Sequence, residues 1–321
     1  MKGAAHRGLA AVLTGLAVFV AAAECYAQAA APATTKPIEV TDADRVFRNF
    51  TREAATVDQG QIRVELRALR TEELADGGDP DCRGPNRANC ARLNTIGQRI
   101  IGVEEVNGAS IDLMGTYGLF QGAEAGFILP VIIETVKRDT GEKNTKEGVG
   151  DLLLYAKYRQ QVFENFAAAG GLEVTVPTGD ENEIRTLDRR FRINGSAAGE
   201  GYSAFGAGDV GLNPFVSARY QQGRIGLGAH AGYNFYTGNT VPEAFNWSAQ
   251  SIIRITEVFS FRTELSGRVF DQFGTRWNDI VMLPGIDFNL SQNFTIRPEG
   301  LANITGTAQD WGIGLGIAGV F

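Results

Sequence analysis

The sequence predicts an all-β protein: an antiparallel up-and-down transmembrane β-barrel over residues 61–321, most simply of 12 strands, with 14 as the alternative count. Three observations predict it. From Gln61 onward apolar and polar residues alternate with a period of two, as in strands whose two faces meet different surroundings. The alternating segments run 11–14 residues, about twice the usual strand of a soluble sheet. Their connections also alternate between short and long, which describes tight periplasmic turns opposite extended extracellular loops.

The elements before the barrel come first in order. Lys2 and Arg7 precede an apolar stretch of 15 residues, Leu9–Ala23, and Ala27-Gln28-Ala29 follows as a small-x-small cleavage site. This reads as a secretory signal peptide over residues 1–29, too short for a membrane span. Glu24 stands before Cys25 where a lipoprotein needs a small residue. Residues 30–60 read as an Ala/Pro/Thr linker that becomes a short, charged periplasmic segment. Export and a strand-built body imply the outer membrane of a Gram-negative bacterium. Loss of Lys2, Arg7 and Glu24 with the leader moves the net charge from −7 to −8. An acidic excess without a basic, aromatic-interleaved stripe excludes nucleic acid as a partner. Cys82 and Cys90 in DCRGPNRANC read as a disulfide across a surface loop of an exported protein. A metal reading would need more ligands than the one mature histidine, His230, provides, so no metal and no cofactor are expected.

The strands follow in chain order. Ile62, Val64, Leu66 and Ala68 alternate with Arg63, Glu65 and Arg67 in the first. The second begins near Ala109, and Thr95–Val106 reads as its extension above the membrane; as a strand of its own it would force a fourteenth. Leu152, Leu154, Ala156 and Tyr158 oppose Asp151, Tyr155, Lys157 and Arg159, and Leu172, Val174 and Val176 oppose Glu173 and Thr175. Val210–Tyr220, Ile225–Phe235, Trp247–Ile255, Phe259–Val269 and Phe294–Pro298 repeat the pattern. Short turns fall at Gln121-Gly122, Glu164-Asn165, Gln222-Gly223, Thr256-Glu257 and Ser291-Gln292; long loops fall at about 138–149, 179–208, 237–245, 271–277 and 303–309. Tyr117, Phe120, Phe163, Phe166, Tyr236, Trp247, Phe288 and Trp311 suit two interfacial girdles. In the last strand Trp311, Ile313, Leu315, Ile317, Gly319 and Phe321 share one face. Asp310–Phe321 would extend about 40 Å, enough when tilted to cross an apolar band of roughly 25 Å. This end resembles the C-terminal signature that the barrel-assembly machinery reads, with Phe321 as its mark and Gly319 as a departure from it.

Three stretches, YGLFQGAEAGFILPVI (Tyr117–Ile132), EGVGDLLLYAKYR (Glu147–Arg159) and GLEVTVPTGD (Gly171–Asp180), stand in the order of a known pattern. Over residues 61–321 the chain resembles the outer-membrane transporter family labelled "MetA-pathway of phenol degradation". That resemblance implies a barrel and uptake of small aromatic or hydrophobic compounds. The loop with Cys82 and Cys90 is particular to this chain.

Alternation sends Arg63, Glu65, Arg67, Lys157, Arg159, Glu173, Arg219, His230, Arg254, Arg262, Glu264, Arg268, Arg297 and Glu299 into the lumen. On the lipid face an Arg or Lys near the midplane would cost about 2–4 kcal/mol. Inside, this ladder either fills a closed barrel with ion pairs or lines a polar channel. Gly226, Gly228, Gly232, Gly312, Gly314 and Gly316 point inward too, which suits close approach to the backbone by a solute, a folded-in loop or the N-terminal segment. Arg185, Arg189, Arg190 and Arg192 sit in the longest loop. They would constrict the mouth, bind lipopolysaccharide phosphates, or stay solvated. No enzyme constellation emerges: His230, in GAHAGYN, has no serine beside it in its own strand. The favoured reading is passive uptake of small, hydrophobic or aromatic solutes. A barrel-wall enzyme acting on lipid and a structural barrel with a plugged lumen are the alternatives.

Overall fold

The computed structural model describes residues 54, 56–74, 103–138, 141, 143–179, 209–237, 243–272, 275–291, 293–305 and 311–321. Among them are thirteen strands: β1 (Ile62–Leu74), β2 (Val103–Phe120), β3 (Ala123–Arg138), β4 (Lys143–Val149), β5 (Leu152–Phe163), β6 (Phe166–Val176), β7 (Gly211–Gln222), β8 (Ile225–Tyr236), β9 (Ala244–Arg254), β10 (Phe259–Gln272), β11 (Thr275–Ser291), β12 (Phe294–Thr305) and β13 (Trp311–Val320). Chain neighbours pair antiparallel around one sheet, except that β5 pairs with β3 rather than β4, and β1 pairs with β13 to close it. The seam runs from Arg63 opposite Val320 to Glu72 opposite Trp311. It ends on a reciprocal rung in which Ile62 N donates to Phe321 O at 2.9 Å and Phe321 N donates to Ile62 O at 2.8 Å. The terminal phenylalanine therefore belongs to the closing ladder, and the residue is 78% exposed.

Twelve strands form the closed wall, and the thirteenth, β4, is an addition to it. β3 pairs with β5 through Ala123–Ile128 and with β4 through Val131–Lys137, so β4 continues the line of β5 past a break at Gly150-Asp151. Gly150 N donates to Pro130 O at 2.8 Å across that break. This corrects the loop expected at 138–149, most of which is a hairpin rising from the wall. The loop expected at 271–277 likewise contracts, because β10 reaches Gln272 and β11 starts at Thr275. Both errors have one cause. KNTKEGV carries no apolar alternation, and a strand standing above the hydrocarbon has water on both faces and needs none. Val103–Val106 does extend the second strand, paired with β1 and β3; residues 95–102 lie outside those described.

The faces are inverted relative to a soluble protein. Ile62 is 48% exposed and its neighbour Arg63 only 3%. The same holds around the wall, with Leu113, Leu227, Phe261, Leu265 and Leu315 outside and charged or small residues inside. Hydrocarbon is the environment in which such an outer face costs nothing. At the short-turn end Phe120–Tyr158, Phe163–Phe166 and Phe259–Phe288 form ring pairs with centroids 6.3, 6.4 and 5.7 Å apart. Tyr233–Phe235, at 4.7 Å, lies toward the long-loop end. Gly122, at φ 80°, makes the β2–β3 turn in the left-handed region that favours glycine.

Candidate functional site: the barrel interior

Charged side chains on a closed wall can only turn inward, and there each needs a partner because little water reaches it. Register supplies the partners in transverse rows. Arg254, Ser260, Asp287 and Arg297 follow one another across β9, β10, β11 and β12. Arg297 Nε lies 2.5 Å from Asp287 Oδ1, and Arg262 Nε lies 3.4 Å from Asp287 Oδ2. Arg262 Nη1 also donates to Gln250 Oε1 at 3.1 Å. Arg67 Nε pairs with Glu299 Oε1, and Arg63 Nε stands 2.6 Å from Glu65 Oε1. On the opposite wall Lys157 Nζ lies 3.4 Å from Glu124 Oε1, Asn213 donates to Glu173 at 2.9 Å, and Arg219 donates to Gln221 at 2.9 Å.

Of the inward residues expected from sequence, Arg63, Glu65, Arg67, Lys157, Glu173, Arg219, His230, Arg262, Glu264, Arg268, Arg297 and Glu299 are buried; Arg159 and Arg254 are half-buried. Arg185, Arg189, Arg190, Arg192, Cys82 and Cys90 lie outside the described residues. Glu124 and Asp287 complete ion pairs that alternation did not supply. Asp287 is hidden because β11 is apolar on both faces, with Val281 and Leu283 inward. Glu124 could have been found by counting from the Gln121-Gly122 turn.

The inward glycines make room for side chains of the strands beside them. Arg67 faces Gly316 in register and reaches over β13 to β12. A Cβ at Gly314 would lie 3.1 Å from Glu299 Cγ and 3.0 Å from Leu69 Cδ1. A Cβ at Gly228 would lie 2.9 Å from Gln250, and one at Gly232 would strike Asn213.

Main chain also enters the lumen, at a different glycine. Ala54 is fully buried against Ala167 and Ala169 of β6. Val57 N donates to Glu124 Oε2 at 2.9 Å, Gly60 N donates to Gly118 O at 2.9 Å, and a Cβ on Gly118 would collide with the Asp58 carbonyl. The residues preceding β1 thus turn back inside the short-turn mouth, and Glu124 holds this strap with one oxygen and Lys157 with the other.

Toward the long-loop end the lining of β1, β11 and β12 becomes apolar. Leu69, Val281, Leu283 and Leu301 are at most 4% exposed, beyond the charged belt that Arg67, Asp287 and Glu299 form on the same strands, while on β10 Glu264 stands opposite Leu283 and Arg268 lies farther up. Phe215 is buried on β7, its ring 5.1 Å from that of His230. Pairing corrects the view that His230 lacks a serine: Ser217 and Ser248 stand directly across from it on β7 and β9. That row continues through Ala169, Ser266 and Val281 and contains no carboxylate to orient the imidazole. Cross-strand neighbours are invisible to a search along the chain.

No family model and no curated protein matches the sequence. Among solved structures, an outer-membrane channel from Pseudomonas putida F1 superposes with a TM-score of 0.59 at 13% identity, covering 86% of this chain and 100% of that one. The KdgM porin aligns at 0.44 and 9%, covering 80% and 99%, and the NanC porin at 0.43 and 8%, covering 80% and 98%. The first likeness establishes a shared outer-membrane β-barrel fold. The other two are too distant in shape to say more.

Proposed function

We propose that this chain is an exported outer-membrane channel for passive uptake of small, hydrophobic or aromatic solutes, as the labelled family implies. The observation that carries the reading is the change of lining along β1, β11 and β12: a partial apolar collar of Leu69, Val281, Leu283 and Leu301 leads into the belt of paired charges on those strands. Such a collar attracts apolar solutes from the loop side by removing their surface from water. The lumen is packed with Arg262, Arg297, Lys157, Glu124 and Glu264, each under 2% exposed, which opposes a wide water-filled pore. The same packing favours a second reading, a structural barrel with a filled lumen. Catalysis is not part of the proposal.

Liposome swelling with sugars, amino acids and aromatic compounds tests it. Faster entry of small aromatics than of sugars of similar size supports the channel. Equal exclusion of every solute, with no conductance steps in planar bilayers, leaves the structural barrel.

A further inference from the structure

We propose that Arg254 and Ser260, on adjoining strands at the short-turn end of the lumen, form a binding site for the carboxylate of an apolar organic acid. It rests on the reading of the barrel as a solute channel and narrows its substrate class to anions with a hydrophobic body.

The belt distributes its carboxylates unevenly. Arg262 and Arg297 share Asp287, and Arg67 takes Glu299. The carboxylate in the row of Arg254, Asp287, is taken by Arg262 and Arg297, and the register partner of Arg254 on β10 is Ser260. The buried Arg254 Nη2 has no hydrogen-bond partner among the described residues, and neither does Ser260 Oγ, on a side chain with 0% exposure. A guanidinium nitrogen and a hydroxyl buried on register partners, each without a hydrogen-bond partner, leave desolvation uncompensated. Arg219 lies within electrostatic range of both Arg254 and Arg262, which adds positive potential to the same corner.

An anion with two oxygens answers that arrangement. Arg254 Nη2 and Ser260 Oγ, on register partners, do not bond each other, and a planar carboxylate could take a hydrogen bond from each. Ile252, two residues from Arg254 on the same inward face, is 4% exposed and offers an apolar wall. Gly226 lies opposite Ile252, and the Gln221 side chain occupies the space over it. Arg254 itself is half-buried, so part of its side chain is open to solvent. The described part of the N-terminal strap contacts β2, β3 and β6, away from β9 and β10.

The test is a titration of the mature full chain in detergent micelles with 4-fluorobenzoate, followed by fluorine NMR, with 4-fluorobenzyl alcohol as the uncharged counterpart. Folding of each variant is checked by heat-modifiable gel mobility. Saturable binding of the acid is expected, weakened at least about tenfold by Arg254→Gln and measurably by Ser260→Ala. The alcohol should bind wild type and variants alike. Should Arg254→Gln fail to fold, Arg254→Lys, which keeps the charge and loses the fork, should still weaken the acid. Absence of saturable binding, equal affinity in wild type and variants, or an equal loss for the alcohol would overturn the site. Uptake of uncharged aromatics by liposomes reports on the channel separately, so a flat titration with intact flux removes this site alone.

Discussion

Arg67 on the first strand and Glu299 on the twelfth form a buried ion pair over the glycines of the thirteenth, clasping the seam where the barrel closes. The two residues are 232 positions apart, and the pair forms only once both ends of the chain are in place. Both side chains are at most 6% exposed. Removing one partner leaves a charge in a site without water, which typically costs about 3–5 kcal/mol. Glu299→Ala should therefore lower stability by an amount of that order in urea unfolding from lipid vesicles. Arg67→Met with Glu299→Leu should cost clearly less than the sum of the single changes. An additive double variant would show that the pair is not coupled.

The N-terminal strap is fixed at Gly118, where any side chain would meet the Asp58 carbonyl. Gly118→Val should expel the strap while the wall, closed by β1 and β13, stays folded. Its signatures are faster protease cleavage near residue 57 and larger single-channel conductance than wild type. Glu124→Gln should do the same more weakly, since it keeps an acceptor for Val57 N and loses the charge facing Lys157. Unchanged conductance in Gly118→Val, with the strap shown to be cleaved, would mean that the belt alone sets the resistance.

The apolar collar makes a prediction about selectivity. Leu283 and Leu301 are buried on adjacent strands, β11 and β12, above Asp287 and Glu299 of the same strands. Leu283→Asn removes apolar lining and adds an amide that water can solvate. Flux of small aromatics in swelling assays should fall several-fold, by the usual value of one buried leucine side chain, while that of glycine or small sugars should not. A uniform change for all solutes would mark a general widening or narrowing instead.

How much of this was legible depended on which side chains meet hydrocarbon. Ile225–Phe235 could be placed residue by residue, because lipid excludes charge from one face and leaves a strict alternation. The same constraint placed Arg63, Glu65 and Arg67 inside. It lapses above the membrane, which is why Lys143–Val149 reads as a loop and folds as β4. It also fails where the interior itself is apolar: Val281 and Leu283 blur β11, and Asp287 went unassigned with them. Pairing partners form the second illegible class. Ser217 beside His230, or Arg67 over Gly316, follows from register alone, and register is set by turns and by the closing rung rather than by any local signal.

Adjacent residues in β10 allow the facing of the wall to be checked directly. Leu265 is 39% exposed on the outer face, and Ser266 next to it is 2% exposed on the inner one. Register sets Leu265 opposite Ala249 and Met282, near the middle of its strand. An arginine there would stand in hydrocarbon, at a cost of about 2–4 kcal/mol for a midplane position on a transmembrane barrel. Leu265→Arg should lower the urea midpoint accordingly, whereas Leu265→Phe should leave it nearly unchanged. A cysteine at 265 should react with a lipid-dissolved maleimide and resist a water-soluble one, and a cysteine at 266 should be silent to the lipid-phase reagent. Reversed labelling would turn the strand inside out and, with it, every inward residue of the belt.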